Sequence, residues 1–260
     1  MLHAVLIGID KYRDQNIKGL SYARADAEAL KELLESRLHP AERTVHLLVN
    51  EEATKRNLMV TIGEVLPRIA TSEDIILLYF ACHGSPEIDS SPDEVSRYII
   101  AYDTEYENIY ATGIDMEREL ARWYERIQQP KLVLLFIDAC FSGRAGGRTF
   151  EGPNLNLTRS QFRGPIQPPI SLADIDLGEG RLMVSACDDN QVAREDVKFG
   201  HGIFTYFLME TLKHPGRNMT TISINVLYDT VARAVRLHTS GRQVPVINGR
   251  ARMAQLPFLA

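Results

Sequence analysis

The chain has 260 residues, 29 of them basic and 34 acidic, for a formal net charge of −5. That balance argues against a nucleic-acid binder of the ordinary basic kind, and 45% apolar residues is enough for one sizeable core. The longest uncharged apolar run, Ile75 to Cys82, has eight residues where a membrane span needs roughly 20, so no membrane contact is expected. The N-terminus meets Asp10 early and lacks a basic region, which does not fit a signal peptide. Cys82, Cys140 and Cys187 then read as reduced thiols of a cytoplasmic protein, and with no CxxC pair they offer no zinc ribbon.

Two periodicities alternate along the chain. Ala4–Ile9 is a short apolar run of strand length. Tyr22, Ala25, Ala29, Leu30, Leu33, Leu34 and Leu38 follow at helical spacing, with Ser21 as the expected N-cap. Thr44–Val49 predicts a second strand, and Leu58, Ile62, Val65, Leu66 and Ile69 a helix behind Thr54. Ile75–Ala81 is apolar throughout, as a strand buried on both faces should be. After a polar stretch over 85–96, Arg97–Ala101 predicts a short strand, and Met116, Leu120, Trp123 and Ile127 a helix behind Asp115. Leu132–Ile137 is a second doubly buried strand. Leu182–Ala186 and Val244–Ile247 complete the strands, with helical patterns over Ile203–Leu212 and Ile224–Leu237 between them. The pattern predicts an α/β fold in one domain over 1–260: a sheet of about six mostly parallel strands flanked by helices on both faces. Residues 144–180 show no periodicity, and loops that long inside compact domains are usually functional or disordered.

The phosphate-binding GxxxxGK[ST], the dinucleotide GxGxxG, HExxH and GxSxG are all missing, which removes the main sequence support for nucleotide, zinc and common serine chemistry. What stands out lies at the ends of the two most apolar strands, where sites form in open α/β sheets. One ends Phe80-Ala-Cys-His83-Gly84, the other Phe136-Ile-Asp138-Ala-Cys140-Phe-Ser142-Gly143. Cysteine is the nucleophile that needs least activation, and histidine can take its proton. Gly84 lets a backbone N–H approach a substrate carbonyl with no side chain in the way, as an oxyanion donor requires. Phe-Ser-Gly after Cys140 is expected to break the strand and expose the thiol. Asp26 falls on the apolar face of its helix, with Tyr22, Ala29, Leu30 and Leu33, where a carboxylate wants a reason. With Asp138 at a buried strand end, it suggests an acidic slot for a basic side chain, best filled by the planar fork of arginine.

These residues carry a resemblance. Val5-Leu-Ile-Gly8-Ile, Leu20-x-x-Ala23-x-x-Asp26-Ala, Ala81-Cys-His83-Gly84, Asp138-Ala-Cys140-Phe-Ser142-Gly143, Ser185-Ala-Cys187-Asp188-Asp189 and Gly202-x-Phe204-Thr205 resemble the caspase-like cysteine peptidases. Within them the chain looks most like the metacaspases and their bacterial relatives, the orthocaspases. Phe141 departs from the histidine usual there, a neighbour that is not the catalytic base. The resemblance implies a caspase-like fold and a Cys-His dyad of Cys140 and His83, with Gly84 and Cys140 N–H groups as the oxyanion hole. It places Asp26, Asp138, Ser185 and Asp188 around the specificity pocket, and protein or peptide substrates with Arg or Lys at the cleavage position.

A regulatory domain or partner protein is compatible with this reading. No cofactor is required. Calcium is a weak expectation, because 85–119 holds ten acidic residues but no EF-hand spacing. The alternative is a catalytically silent caspase-like signalling scaffold, against which both Cys140 and His83 are present. The loop after the nucleophile runs against the chain's overall sign, with Arg144, Arg148, Arg159 and Arg163 against Glu151. Self-cleavage there is expected after Arg159 or Arg163, since Arg144 and Arg148 lie so near Cys140 that the tether looks too short to fold back.

Overall fold

The computed structural model describes residues 1–88, 95–141, 147–148, 150, 152–153, 177–188, 190–214, 221–251 and 255–257. In chain order they form β1 (Leu2–Gly8), α1 (Ala23–Arg37), β2 (Arg43–Val49), α2 (Lys55–Val60), α3 (Leu66–Ile69), β3 (Ile75–Ala81), β4 (Gly84–Ile88) and β5 (Val95–Ile99). Next come α4 (Ile109–Thr112), β6 (Ile114–Asp115), α5 (Met116–Arg126), β7 (Leu132–Asp138), β8 (Arg181–Ser185), β9 (Glu195–Asp196) and β10 (His201–Gly202). The chain closes with α6 (Ile203–Lys213), β11 (Thr221–Ser223), α7 (Ile224–His238), β12 (Val246–Arg250) and β13 (Gln255–Pro257).

Six strands make the central sheet in the order β12-β8-β7-β3-β1-β2. All neighbours run parallel except β12, which lies antiparallel on β8. β1, β3 and β7 are buried along their whole length, which is why their sequences are apolar without alternation. Their side chains still divide by the period of two. Leu77, Tyr79 and Ala81 face one core with Leu30, Phe204 and Leu227, so α1, α6 and α7 cover that side. Ile76, Leu78 and Phe80 face the other with Leu58, Leu66 and Trp123, from the 55–69 segment and α5.

The helix expected behind Thr54 is there, and Thr54 accepts a hydrogen bond from the Asn57 N–H as its cap. It is not uniform, because a π-helical turn, Thr61–Val65, separates α2 from α3. Pro67 has no N–H to offer the Gly63 carbonyl, and Nε of Arg126 on α5 donates to that oxygen instead. At α1 the structure corrects the expected cap. The N-cap residue is Tyr22, with no side-chain cap of its own. The Glu195 carboxylate, far along the chain, accepts from the N–H groups of both Ser21 and Tyr22 at 3.0 Å. The polar stretch after His83 also holds β4, which pairs antiparallel with β5.

Candidate active site

β3 and β7 are adjacent and in register, Ala81 beside Asp138, so the residues that follow them leave the same edge of the sheet together. His83 is buried there, its ring stacked on Tyr12 at 5.4 Å. The His83 N–H donates to the Tyr12 hydroxyl at 2.9 Å, so Tyr12 pins both backbone and ring, a role the sequence did not suggest. Nε2 lies 2.7 Å from the Lys18 carbonyl. A carbonyl only accepts, so Nε2 carries the hydrogen and the neutral ring keeps its lone pair on Nδ1. Nδ1 is buried and has no hydrogen-bond partner among the described residues. Burial pushes the His83 pKa down to about 4, against the Lys18 and Arg148 carbonyls, which favour the charged ring. The group is thus a neutral base at ordinary pH.

Cys140 is buried, not exposed as its sequence surroundings predict. The correction has a cause in two neighbours. Its Sγ donates to the Gln191 carbonyl at 2.6 Å, and its N–H donates to the Arg148 carbonyl, so Arg148 lies over Cys140. Ser142 and Gly143 lie outside the described residues. Cys187 points at the same Gln191 carbonyl from 3.6 Å, and its pKa is raised well above the ordinary thiol value by the hydrogen bond with Cys140 and by burial. Cys82 is pushed up to about 12 by burial, so it is an inert core thiol.

Gly84 is needed for a tighter reason than access to a substrate. A Cβ there would sit 2.6 Å from the Cys140 carbonyl oxygen and 2.7 Å from the Phe141 ring. With no side chain, Gly84 packs directly against Cys140 and Phe141. The N–H groups of Gly84 and Cys140 both donate, at 3.1 Å each, to one oxygen, the carbonyl of Arg148.

Asp26 and Asp138 come together at this edge, both fully buried, and they hold a cation. It is Arg148, itself fully buried. Its guanidinium contacts Asp26 Oδ2, Asp138 Oδ2 at 3.0 Å and Glu195 Oε1 at 3.3 Å. Burial opposes the charge of Arg148, yet Asp138 and Asp26 outweigh it and raise its pKa well above the ordinary value. Asp138 is raised to about 6, first by burial and then by Asp26, with Arg148 pulling it down. The cage is fixed from behind. The Tyr79 hydroxyl meets Thr205 Oγ1 at 2.5 Å, which donates to Asp138 Oδ2 at 2.6 Å. His201 Nδ1 lies 2.7 Å from Asp26, and the Gly202 N–H donates to the same carboxylate.

The caspase-domain family model matches residues 1–255. The chain belongs to that family. Protein GSU0716 from Geobacter sulfurreducens is similar in structure over 100% of this chain and 98% of its own, at 20% identity and TM-score 0.70. Caspase-1 from Spodoptera frugiperda is similar over 96% of this chain and 86% of its own, at 15% identity and TM-score 0.58. The pro-sf-caspase-1 structure covers 100% and 90%, at 14% identity and TM-score 0.62. Likeness at these identities shows the shared fold alone. No curated protein matches significantly.

Other sequence-predicted residues of this caspase domain fall elsewhere. Asp188 is exposed, and the third carboxylate on the guanidinium is Glu195. Ser185 is buried, its hydroxyl donating to the Cys187 carbonyl at 3.0 Å. Arg159 and Arg163 lie outside the described residues. Glu195, His201 and Thr205 are the residues around the Arg148 cage that sequence reasoning missed. The Gly202-x-Phe204-Thr205 motif marked their neighbourhood, but nothing local to Glu195 signals a carboxylate that meets Arg148 and α1. Among the described residues no group of three His, Cys, Asp or Glu side chains is placed to hold a metal, and no helix is long and apolar enough to cross a membrane.

Proposed function

We propose that this caspase domain is a cysteine endopeptidase of the metacaspase and orthocaspase kind, cutting cytoplasmic proteins after Arg or Lys with Cys140 and His83. The observation that carries the specificity is the occupied cage, three carboxylates on one guanidinium. Such a slot rejects an acidic or apolar side chain, because its buried charges would be left unpaired.

The chemistry follows from the same edge of the sheet. His83 Nδ1 takes the proton of Cys140, and Sγ attacks the carbonyl carbon next to the bound arginine. The N–H groups of Gly84 and Cys140 receive the oxyanion, a kind of contact worth about 100- to 1,000-fold in rate per donor. His83 then returns the proton to the leaving amine, and water hydrolyses the thioester. A panel of fluorogenic peptides differing only in the residue before the cut tests the reading. Arg and Lys peptides should be cleaved and Asp or neutral ones should not. A preference for Asp or a neutral residue would remove the acidic slot from the mechanism.

A further inference from the structure

Cys187 is a buried thiol that the mechanism leaves unused, beside the one that the mechanism needs. β7 and β8 are parallel neighbours in register, Ile137 beside Ser185. The Ala186 N–H donates to the Ile137 carbonyl at 2.8 Å, which carries the pairing past the end of β8. Cys140 follows Ile137 by three residues and Cys187 follows Ser185 by two. Neighbouring strands run roughly 4.8 Å apart, inside the window of about 4.4–6.8 Å between α-carbons that a disulfide spans. Cys140 and Cys187 also belong to the same core, the one that α1, α6 and α7 cover, whereas Cys82 belongs to the core on the opposite side of the sheet.

The two sulfurs converge on one atom. Cys140 Sγ donates to the Gln191 carbonyl at 2.6 Å, and Cys187 Sγ donates to the same oxygen at 3.6 Å. Gln191 is fastened in place: its N–H donates to the Asp188 carbonyl at 2.9 Å, and its Oε1 accepts from the Val244 N–H at 2.6 Å. Cys187 is fastened too, since its carbonyl accepts from the Ser185 hydroxyl at 3.0 Å. Two thiols that share one acceptor are held within a side-chain rotation of each other. The hydrogen bond with Cys140 is the first cause of the raised Cys187 pKa, ahead of burial. Once the Cys140 thiol has been oxidised, that first cause is gone.

The geometry points to Cys187 as the resolving partner of Cys140: under hydrogen peroxide the two close a disulfide that ties up the Cys140 sulfur reversibly. The Cys140 sulfur gives an electron pair to one peroxide oxygen. The O–O bond breaks, and the departing hydroxide leaves as water with the thiol proton, so that Cys140 becomes a sulfenic acid. The Cys187 sulfur then attacks the Cys140 sulfur. The S–O bond breaks, and the hydroxyl leaves as water with the Cys187 proton. One peroxide thus becomes two waters while two thiols become one disulfide. A dithiol reductant restores both thiols by exchange. Without Cys187 the sulfenic acid meets further peroxide and passes to sulfinic acid, which ordinary thiols do not reduce. The oxidant needs less room than the peptide that the peptidase reading brings to the same sulfur. The link is visible by mass in a chain of any activity, so it stands apart from that reading.

The test exposes the full chain to hydrogen peroxide, blocks the remaining thiols with N-ethylmaleimide and maps the unreduced tryptic digest by mass spectrometry. Cys82, Cys140 and Cys187 fall in separate tryptic peptides, so each pairing is distinct. Hydrolysis of a fluorogenic Gly-Gly-Arg peptide is followed before oxidation, after it and after dithiothreitol. The expected result is the Cys140 peptide joined to the Cys187 peptide with two hydrogens lost, and Cys82 left as a free thiol. Hydrolysis should fall about tenfold or more as the pair forms and return with dithiothreitol. In Cys187→Ser, Cys140 should instead reach sulfinic acid at the same dose, and dithiothreitol should recover less than about a tenth of that variant's own starting rate; Cys187→Ala serves if the serine variant does not fold. A wild type whose Cys140 reaches sulfinic acid as fast as in the variant, or pairs with Cys82 or with a second chain, overturns the proposal. A chain that hydrolyses the peptide yet forms no Cys140–Cys187 link overturns the proposal and leaves the peptidase reading standing. A link formed in a chain without hydrolysis upholds the proposal and counts against that reading.

Discussion

Two arginines are buried at opposite ends of the same sheet, and the protein treats them differently. Arg181, where β8 begins, donates to the carbonyls of Ile127, Gln128, Pro130 and Gly180, with the Tyr124 ring 5.9 Å away. Burial lowers its pKa. Arg148, at the carboxyl ends of the strands, sits among three carboxylates, and its pKa is raised. Carbonyl groups satisfy a guanidinium without calling for one, since they rest without penalty on other donors. Carboxylates gathered in a buried place repel one another until a cation arrives. The first arrangement is a clamp between a strand and the end of α5; the second, on the proposed function, is a receptor with its ligand in place. Among the described residues, Arg148 Nε and Asp138 Oδ1 have no hydrogen-bond partner.

The largest expected effect separates chemistry from fold. Cys140→Ala should lower peptide hydrolysis by about three orders of magnitude or more, with circular dichroism unchanged; undiminished activity would remove the mechanism. Next come the carboxylates. Asp26→Asn in the active enzyme should cut kcat/KM for an Arg peptide about 30-fold or more, the scale of truncating one partner of a buried charge pair. In the uncut Cys140→Ala background the same change should cost about 3–5 kcal/mol in urea unfolding, because Arg148 loses a buried partner. Adding Arg148→Met should recover part of that loss, and a strictly additive cycle would show that the two do not interact.

A smaller effect should appear with pH. Asp138, raised to about 6, gains a proton as pH falls through that value and loses the charge that attracts arginine. Arg148 pulls this pKa down, so an empty slot holds its proton to still higher pH. Because kcat/KM reports the free enzyme, whose slot is empty, kinetic measurement should show kcat/KM for Arg peptides falling with pH through a value above 6, and Asp138→Asn abolishing that limb. His83, at about 4, stays neutral through this range and cannot produce the limb itself. The smallest effect belongs to the other arginine. Arg181→Met should lower stability by about 1–3 kcal/mol, through carbonyls left without donors, and leave kcat/KM unchanged. A change in arginine preference there would erase the distinction between clamp and receptor.

The central sheet was legible because β1, β3 and β7 are buried on both faces and must be apolar. The approach of His83 and Cys140 at one edge of the sheet could be read because they follow two such strands. β4 was not legible: Gly-Ser-Pro-Glu-Ile has no strand pattern, and its order comes from pairing with β5. The Ser21 cap failed for a related reason, since Glu195 arrives from a distant part of the chain to do that work. Asp26 and Asp138 could be read because a carboxylate on an apolar face is conspicuous. Glu195 could not, since it stands in a polar stretch and its role exists only once the chain has folded. Arg148 was misjudged by counting residues from Cys140 without weighing the turn that Gly147 permits.

The short tether has a consequence for competition. A ligand joined to its own receptor by a few residues acts at an effective concentration of the order of millimolar. A protein substrate met at micromolar concentration contends with an arginine about a thousandfold more abundant, in effect, at the same slot. No improvement in the carboxylate cage alters that contest, because a tighter cage holds both arginines more strongly in equal measure. Only severing the tether, or drawing it away, turns the balance toward outside chains.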